Sequence, residues 1–98
     1  MPGSLLTNAT TNGTQTASPP TVTGGTTLLL SGTLGRAANV LIEIASAAGP
    51  FVPFENMNAG GKRTCAVNLG NAAAEARLRA TLQGVNADDG TNCTLEYL

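Results

Sequence analysis

The sequence predicts an all-β fold, a small β-sandwich or β-barrel that follows an extended N-terminal arm. Short apolar runs alternate with turns rich in glycine, proline and asparagine throughout residues 26–98, a pattern typical of all-β modules. Charged residues make up only 11% of the 98 residues, under half of the ~25% found in soluble domains. The residues before Gly24 are dominated by Thr, Asn, Gly and Pro. We therefore divide the chain into a flexible arm, residues 1–25, and a β-sandwich domain, residues 26–98.

The arm is predicted from its lack of burial potential. Residues 7–23 carry no charge and almost no apolar side chain larger than alanine, so alone they cannot offset their ordering entropy. Their threonines favour β-structure, so the arm could order by adding to a sheet edge. It is either a disordered leader or an arm that grips a neighbouring subunit. The candidate partner-binding residues are Thr7, Thr10, Thr11, Thr14, Thr16, Pro19, Pro20, Thr21, Val22 and Thr23.

Alternation of apolar and polar residues predicts the strands of the domain. Three apolar side chains alternate inward in residues 39–46, and Glu43 points to the other face. Pro53 cannot occupy a central ladder position, which confines residues 51–55 to an edge strand or a loop. Further strands are predicted over residues 26–33 and 63–69.

Residues 72–83 fit two kinds of structure. Apolar residues alternate over eight positions, which favours a strand. The same segment is rich in helix formers, and Glu75 and Arg79 have the spacing of a helical ion pair. We predict a strand, with a short helix near residues 72–80 as the alternative. The turn Asp88-Asp89-Gly90 then predicts a hairpin to a last strand at residues 92–98.

The predicted core is modest and contains few aromatic residues. A core of this size rarely supplies more than ~3–5 kcal/mol without staples or association, so we expect a homo-oligomer, with a trimer favoured. Its expected inward residues are Leu28, Leu30, Val40, Ile42, Ile44, Phe51, Val67, Leu69, Leu78, Leu82, Leu95 and Tyr97.

The sequence offers little support for catalysis. It contains no histidine, the commonest general base and imidazole ligand. The oxygens of residues 88–92 suggest a Ca²⁺ loop, but no glutamate stands at the required distance, and a turn is favoured. Gly60-Gly61-Lys62-Arg63 lacks the pattern of a phosphate loop. We therefore predict no catalytic residue, metal or cofactor; a hydrolase using Asp88, Asp89 or Glu96 is the least favoured alternative.

Charge and hydropathy bear on the partners and the compartment. A net charge of −1 argues against a nucleic-acid binder, which needs a basic stripe. No apolar run approaches the ~20 residues of a membrane span, and no signal peptide is evident. In a reducing cytosol, Cys65 and Cys93 are expected to be buried small hydrophobes rather than a disulfide. Arg77 and Arg79, on one strand face with Glu75, either contact an acidic partner or face solvent.

Two stretches carry a family resemblance. Residues 25–46 (GTTLLLSGTLGRAANVLIEIAS) and the ending formed by residues 78–84 (LRATLQG) and 92–98 (NCTLEYL) resemble small virion structural proteins of tailed bacteriophages, of the capsid decoration (cement) type. The shared pattern is an apolar strand, a glycine-rich turn, a second apolar strand and a final hairpin.

The resemblance implies a compact homo-oligomeric β-module that binds the outer capsid surface and stabilises the shell. The N-terminal arm would dock on the major capsid protein. The chain would be made in the host cytoplasm and reside in the virion. A phage neck, tail or fibre component, or an immunoglobulin-like adhesive module, is the alternative.

Overall fold

The computed structural model describes residues 3–15, 19–71 and 73–98. Within these ranges the chain is all-β, which confirms the predicted fold class. The strands are β1 (Gly3–Ala9), β2 (Thr21–Thr23), β3 (Thr27–Thr33), β4 (Asn39–Ala45), β5 (Val52–Asn58), β6 (Thr64–Ala66), β7 (Glu75–Gln83) and β8 (Asn92–Tyr97).

The strands form two four-stranded antiparallel sheets that pack into a sandwich. The first sheet has the order β1-β8-β3-β6 and the second the order β2-β7-β4-β5. Strands β4 and β5, β3 and β6, β2 and β7, and β1 and β8 are therefore paired. The chain thus resembles one long hairpin, with its tip between β4 and β5, that is rolled into two layers. This strand order is that of an eight-stranded jelly roll.

Strand β7 resolves the ambiguity of residues 72–83 in favour of a strand. It lies between β2 and β4 in the second sheet. Its inward side chains, Ala76, Leu78, Ala80 and Leu82, are all buried, whereas the residues between them are exposed or half-buried. The alternative of a short helix is wrong for residues 73–80. Pairing with a strand on each side and burial of every second side chain stabilise the strand by more than the helix propensity of these residues favours a helix.

The predicted hairpin between residues 72–83 and 92–98 is wrong. Strand β7 belongs to the second sheet and β8 to the first, so residues 84–91 cross from one layer to the other. The turn within this connection is present, with Asp88 at φ 64° and Gly90 at φ 77°. A local turn motif shows that the chain reverses, but it does not specify which strand the chain pairs with next.

The core contains most of the predicted residues and several others. Ile44, Leu69 and Tyr97 pack against it half-buried, and Phe51, predicted to face inward, is not part of it. The predicted residues that are fully buried are Leu28, Leu30, Val40, Ile42, Val67, Leu78, Leu82 and Leu95. Cys93 is buried as expected, and so are Ala76 and Ala80, which alternate with Leu78 and Leu82 in the predicted strand. The buried residues that were not expected to face inward are Leu5, Leu6, Ala9, Val22, Leu34, Ala38, Ala45 and Met57.

The N-terminal segment departs most from expectation. Instead of a flexible arm, residues 3–9 form β1 beside β8 and residues 21–23 form β2 beside β7. The register of β1 shifts between Ser4 and Leu6, and this bulge lets the adjacent side chains Leu5 and Leu6 both enter the core. Their burial anchors a strand that composition alone predicts to be mobile.

The prediction that Pro53 lies on an edge strand or in a loop is confirmed. Strand β5 is an edge strand that, among the described strands, pairs with β4. Its register shifts between the partners of Ile42 and Glu43, so a bulge accompanies the proline. Proline and bulges are both common devices at sheet edges.

Candidate binding surface

The predicted partner-binding residues mostly lie on the surface of one side of the sandwich. Val22 is an exception, because it is 4% exposed and belongs to the core. Pro19 and Pro20 are half-buried. Thr16 lies outside the described residues. The exposed members of the set are Thr7, Thr10, Thr11, Thr14, Thr21 and Thr23.

At several of its described residues, the backbone of this segment pairs with β7. Gly13 and Leu82 exchange two hydrogen bonds, with N···O distances of 2.9 and 3.0 Å. The Leu78 amide donates to the Pro20 carbonyl at 3.1 Å, and β2 continues along β7. The segment therefore closes the side of the sandwich between the two sheets. These hydrogen bonds hold Gly13, Pro20 and β2 against β7.

Several hydroxyl and amide groups hold the segment in place. The hydroxyls of Thr14 and Thr81 are 2.8 Å apart. The Thr7 amide donates to Oε1 of Gln15 at 2.7 Å. Thr10 and Thr11 lie beyond the end of β1 and are exposed, so their hydroxyls face solvent.

A polar cleft of about 380 Å³ lies next to these two threonines. Residues 10–12, from the connection after β1, form one wall, and residues 85–91, from the connection after β7, form the other. Asn12 joins the two walls, because its Oδ1 accepts a hydrogen bond from the Val85 amide at 2.9 Å. The volume falls within the range of ligand sites, and the described lining combines hydroxyl, amide and carboxylate groups with the apolar side chains of Val85 and Ala87.

Asp89 holds the second wall of the cleft. One carboxylate oxygen accepts from the Asn86 amide and the other from the Thr91 amide, both at 2.9 Å. These hydrogen bonds, first that of Asn86 and then those of Thr91, hold the pKa of Asp89 below its ordinary value. The Thr91 hydroxyl in turn accepts from the buried Gly35 amide at 2.8 Å, which ties this wall to the connection between β3 and β4.

The hydrogen bonds of Asp89 also show how residues 88–92, the suggested Ca²⁺ loop, are held. Both oxygens of Asp89 are engaged by backbone amides, so they shape a turn. The described ranges contain no group of three or more His, Cys, Asp or Glu side chains that could hold a metal ion.

The outer face of the second sheet carries a cluster of Arg77, Arg79, Phe51 and Glu43. Both guanidinium groups lie over the Phe51 ring, Arg79 at 4.2 Å and Arg77 at 5.0 Å from its centroid. Arg79 forms an ion pair with Glu43 at 3.0 Å, not with Glu75. Arg77 donates to the carbonyls of residues 46 and 49. The cluster binds the turn after β4 to the sheet, and its cations are engaged within the chain.

A second charged group joins β5 to β6. Lys62 lies 3.1 Å from Glu55, and this hydrogen bond lowers the pKa of Glu55 and raises that of Lys62. Burial, followed by the nearby Glu55, raises the pKa of the Cys65 thiol. Cys93, on β8, is fully buried. Strand β3 separates the two cysteines, and they pair with different residues of it, Cys65 with Leu28 and Cys93 with Gly32. The strand spacing of roughly 10 Å and the offset of roughly 13 Å along β3 place them too far apart for a disulfide.

An apolar groove of about 300 Å³ lies at another edge, beside Ile44, Val52 and Leu69. Val52 is 50% exposed there. No helix in the described part of the chain is long and apolar enough to cross a membrane.

Comparisons with known proteins give no relative. No family model matches the chain. Neither the curated proteins nor the solved structures contain a match. The strand order and the surface formed by Thr10, Thr11 and the adjacent cleft are therefore the features of this protein that bear on its function.

Proposed function

We propose that this protein is a capsid decoration (cement) protein, a virion structural component that binds the outer capsid surface and stabilises the shell. The observation that carries the proposal is the jelly-roll strand order, since this architecture recurs in viral capsid and lectin domains. A fold alone does not specify a function. The resemblance of residues 25–46, 78–84 and 92–98 to small phage virion proteins supplies the second line of support.

In this proposal the docking surface is the loop end that carries Thr10, Thr11 and the polar cleft. The surface is rich in hydrogen-bonding groups, and among the described residues that line the cleft the charged ones are Asp88 and Asp89. It therefore suits a protein surface that presents donors, such as amides, lysines or arginines. The partner is the major capsid protein, and the N-terminal segment contributes side chains from a folded position.

Stabilisation of the shell follows from rigid bridging between capsomers. The N-terminal segment is paired to both sheets, so a force on a docked copy is borne by the whole sandwich rather than by a loose tether. A homo-oligomer, with a trimer favoured, would place several such surfaces around one capsid symmetry axis. The chain is made in the host cytoplasm and resides in the virion.

A phage neck, tail or fibre component with adhesive activity is the second candidate. The cleft of about 380 Å³ favours it, because hydroxyl, amide and carboxylate groups can bind the hydroxyls of a glycan. The strand order differs from that of an immunoglobulin sandwich, so an immunoglobulin-like module is not supported by the topology.

Quantitative mass spectrometry of purified particles from the source lysate separates these functions. A copy number near that of the most abundant shell protein is expected for decoration. A handful of copies would favour the neck, tail or fibre. Complete absence from particles would overturn both.

Point variants then test the docking surface. Thr10→Glu with Thr11→Glu adds charge and bulk at the proposed surface, and we expect binding to purified capsids that lack this protein to fall at least several-fold. Thr64→Glu is the matched control, because Thr64 is also an exposed threonine but lies on the opposite edge strand, β6. Equal binding of the two variants would exclude the loop end as the docking surface.

A further inference from the structure

The first strand is attached to the rest of the molecule in an unusual way. Among the strands of the described residues, β1 pairs with β8 and forms the edge of its sheet. Yet it contributes Leu5, Leu6 and Ala9 to the core, each 1% exposed. If β1 left its place, the sandwich would lose core side chains and gain an open groove beside β8.

The pairing of β1 is irregular compared with that of its neighbours. Its register with β8 shifts twice, between Ser4 and Leu6 and between Leu6 and Ala9. On its other side, β8 pairs with β3 through consecutive partners from Leu28 to Thr33, without a shift. The backbone pairing of β1 is therefore interrupted on one side and open on the other, so its attachment to the sandwich depends on the side chains that it buries.

A short hinge connects β1 to a fixed point. Gly13 is held on β7 by its two hydrogen bonds with Leu82, whereas β1 ends at Ala9. Only residues 10–12 lie between them, and they bend the chain from the first sheet towards the second. Short hinges that must bend sharply favour the exchange of the element they carry between copies, because an extended hinge is released from the bend.

We propose that β1 is an exchangeable strand, so that residues 3–9 of one copy fill the groove beside β8 of another copy, with residues 10–12 extended as the hinge. The occupant is a second copy of this chain, because the groove must receive two adjacent inward leucines. A strand with regular alternation would present only one of them. All contacts of β1 are reproduced in the exchanged state, and only the hinge differs. This inference does not depend on the proposed function.

The register of β1 supplies a direct test. Ala9 is the partner of Cys93 across the two strands, and directly paired residues have Cα atoms ~4.5–5.5 Å apart, within the range for a disulfide. Ala9→Cys in a Cys65→Ser background therefore creates one pair that joins β1 to β8. The protein is folded at low and at high concentration and then treated with oxidised glutathione. It is analysed by denaturing electrophoresis without reductant.

Exchange predicts disulfide-linked dimers, or larger closed sets, whose share rises with protein concentration at folding. Folding at low concentration should give the pair within one chain. The control is Leu41→Cys with Asn56→Cys in the same background, on paired positions of β4 and β5. Those strands share one turn, so this pair should form within a single chain at every concentration.

A hinge insertion provides a readout that does not need the engineered cysteine. Gly-Ser-Gly inserted between Thr10 and Thr11 relaxes the bend, and we expect the oligomeric fraction in analytical ultracentrifugation to fall several-fold relative to the unmodified chain. The same insertion between Gly60 and Gly61, in the connection between β5 and β6, should change nothing. Two results would overturn the proposal: a chain that stays monomeric at all concentrations, or oligomers whose 9–93 disulfide lies within single chains.

Discussion

At two positions in this protein a single residue determines the local backbone conformation. Asp89 is one example. Its two carboxylate oxygens accept backbone amide hydrogen bonds from Asn86 and Thr91, so a single side chain shapes the connection between the two sheets. Gly32 is another, near the end of β3, with φ at 93°.

Asp89 should make stability depend on pH. Its pKa is lowered in the folded state, so its contribution is present above the unfolded value of about 3.9 and is lost as pH falls through the folded value. Asp89→Asn should therefore lower the urea midpoint near neutral pH. The difference from the unmodified protein should shrink towards the most acidic conditions.

The control for this experiment is Asp88→Asn, since the Asp88 carboxylate takes no part in these hydrogen bonds. Urea unfolding followed from about pH 2 to about pH 7, which brackets the ordinary carboxyl range, should give a pH-dependent difference for Asp89→Asn alone. The same pH profile for both variants would contradict the assigned role.

Gly32 should not tolerate a side chain. Its φ is in the region that favours glycine, and a Cβ atom would collide with the Asn92 carbonyl of the neighbouring β8. We expect Gly32→Ala to cost about 1–3 kcal/mol from the backbone conformation alone, measured by chemical denaturation. Gly25→Ala is the control, because a Cβ atom at Gly25 meets open space, and it should be close to neutral.

At the scale of elements, the two ends of the chain are held differently from the middle. Strands β4 and β5 are joined by a short turn and pair along most of their length. Strand β1 has no such local partner and depends on β8, from the far end of the sequence. Its contribution to stability must therefore come from the side chains that it buries.

Leu6 tests whether β1 belongs to the core. Leu6→Ala should lower the free energy of unfolding by about 2–5 kcal/mol, the usual cost of truncating a buried leucine. Thr7→Ala, at the next position and exposed, should change it little. If both variants unfolded at the same denaturant concentration as the unmodified protein, residues 3–9 would not be part of the folded core.

For the whole molecule, the two sheets and the N-terminal segment form one structural unit. The core cluster draws residues from both sheets and from β1 and β2 together. A chain that lacks this segment would expose part of the core and leave β7 and β8 without one neighbour each. We therefore treat the described residues as one folding unit rather than as an arm and a domain.

Deletion of residues 1–23 provides the test at this scale. The shortened chain should lose the cooperative urea transition and bind a dye for exposed apolar surface, because Leu5, Leu6 and Val22 are removed from the core. Circular dichroism and dye fluorescence would measure the two effects. Retention of a sharp transition with an unchanged midpoint would show that residues 24–98 fold independently.

Several features of the fold could be predicted from local sequence. Alternation in residues 39–46 and 76–82 indicated strands, and Pro53 indicated an edge. The exposed threonines of the candidate surface were also singled out. The cleft beside them was not, because it forms between residues 10–12 and 85–91, which are far apart in sequence. Its clearest sequence signal was the Asp-Gly turn, which a simple hairpin explains equally well.

The sequence by itself determined that this chain is built of strands, because a two-residue period of apolar side chains is a property of a few neighbouring residues. Only the tertiary structure decided which strands pair, that β7 and β8 lie in different sheets, and that residues 3–9 belong to the core. The Leu5-Leu6 pair breaks the simple period through a bulge that forms only against β8. Partner choice and bulges depend on contacts between distant residues, and no local pattern contains that information.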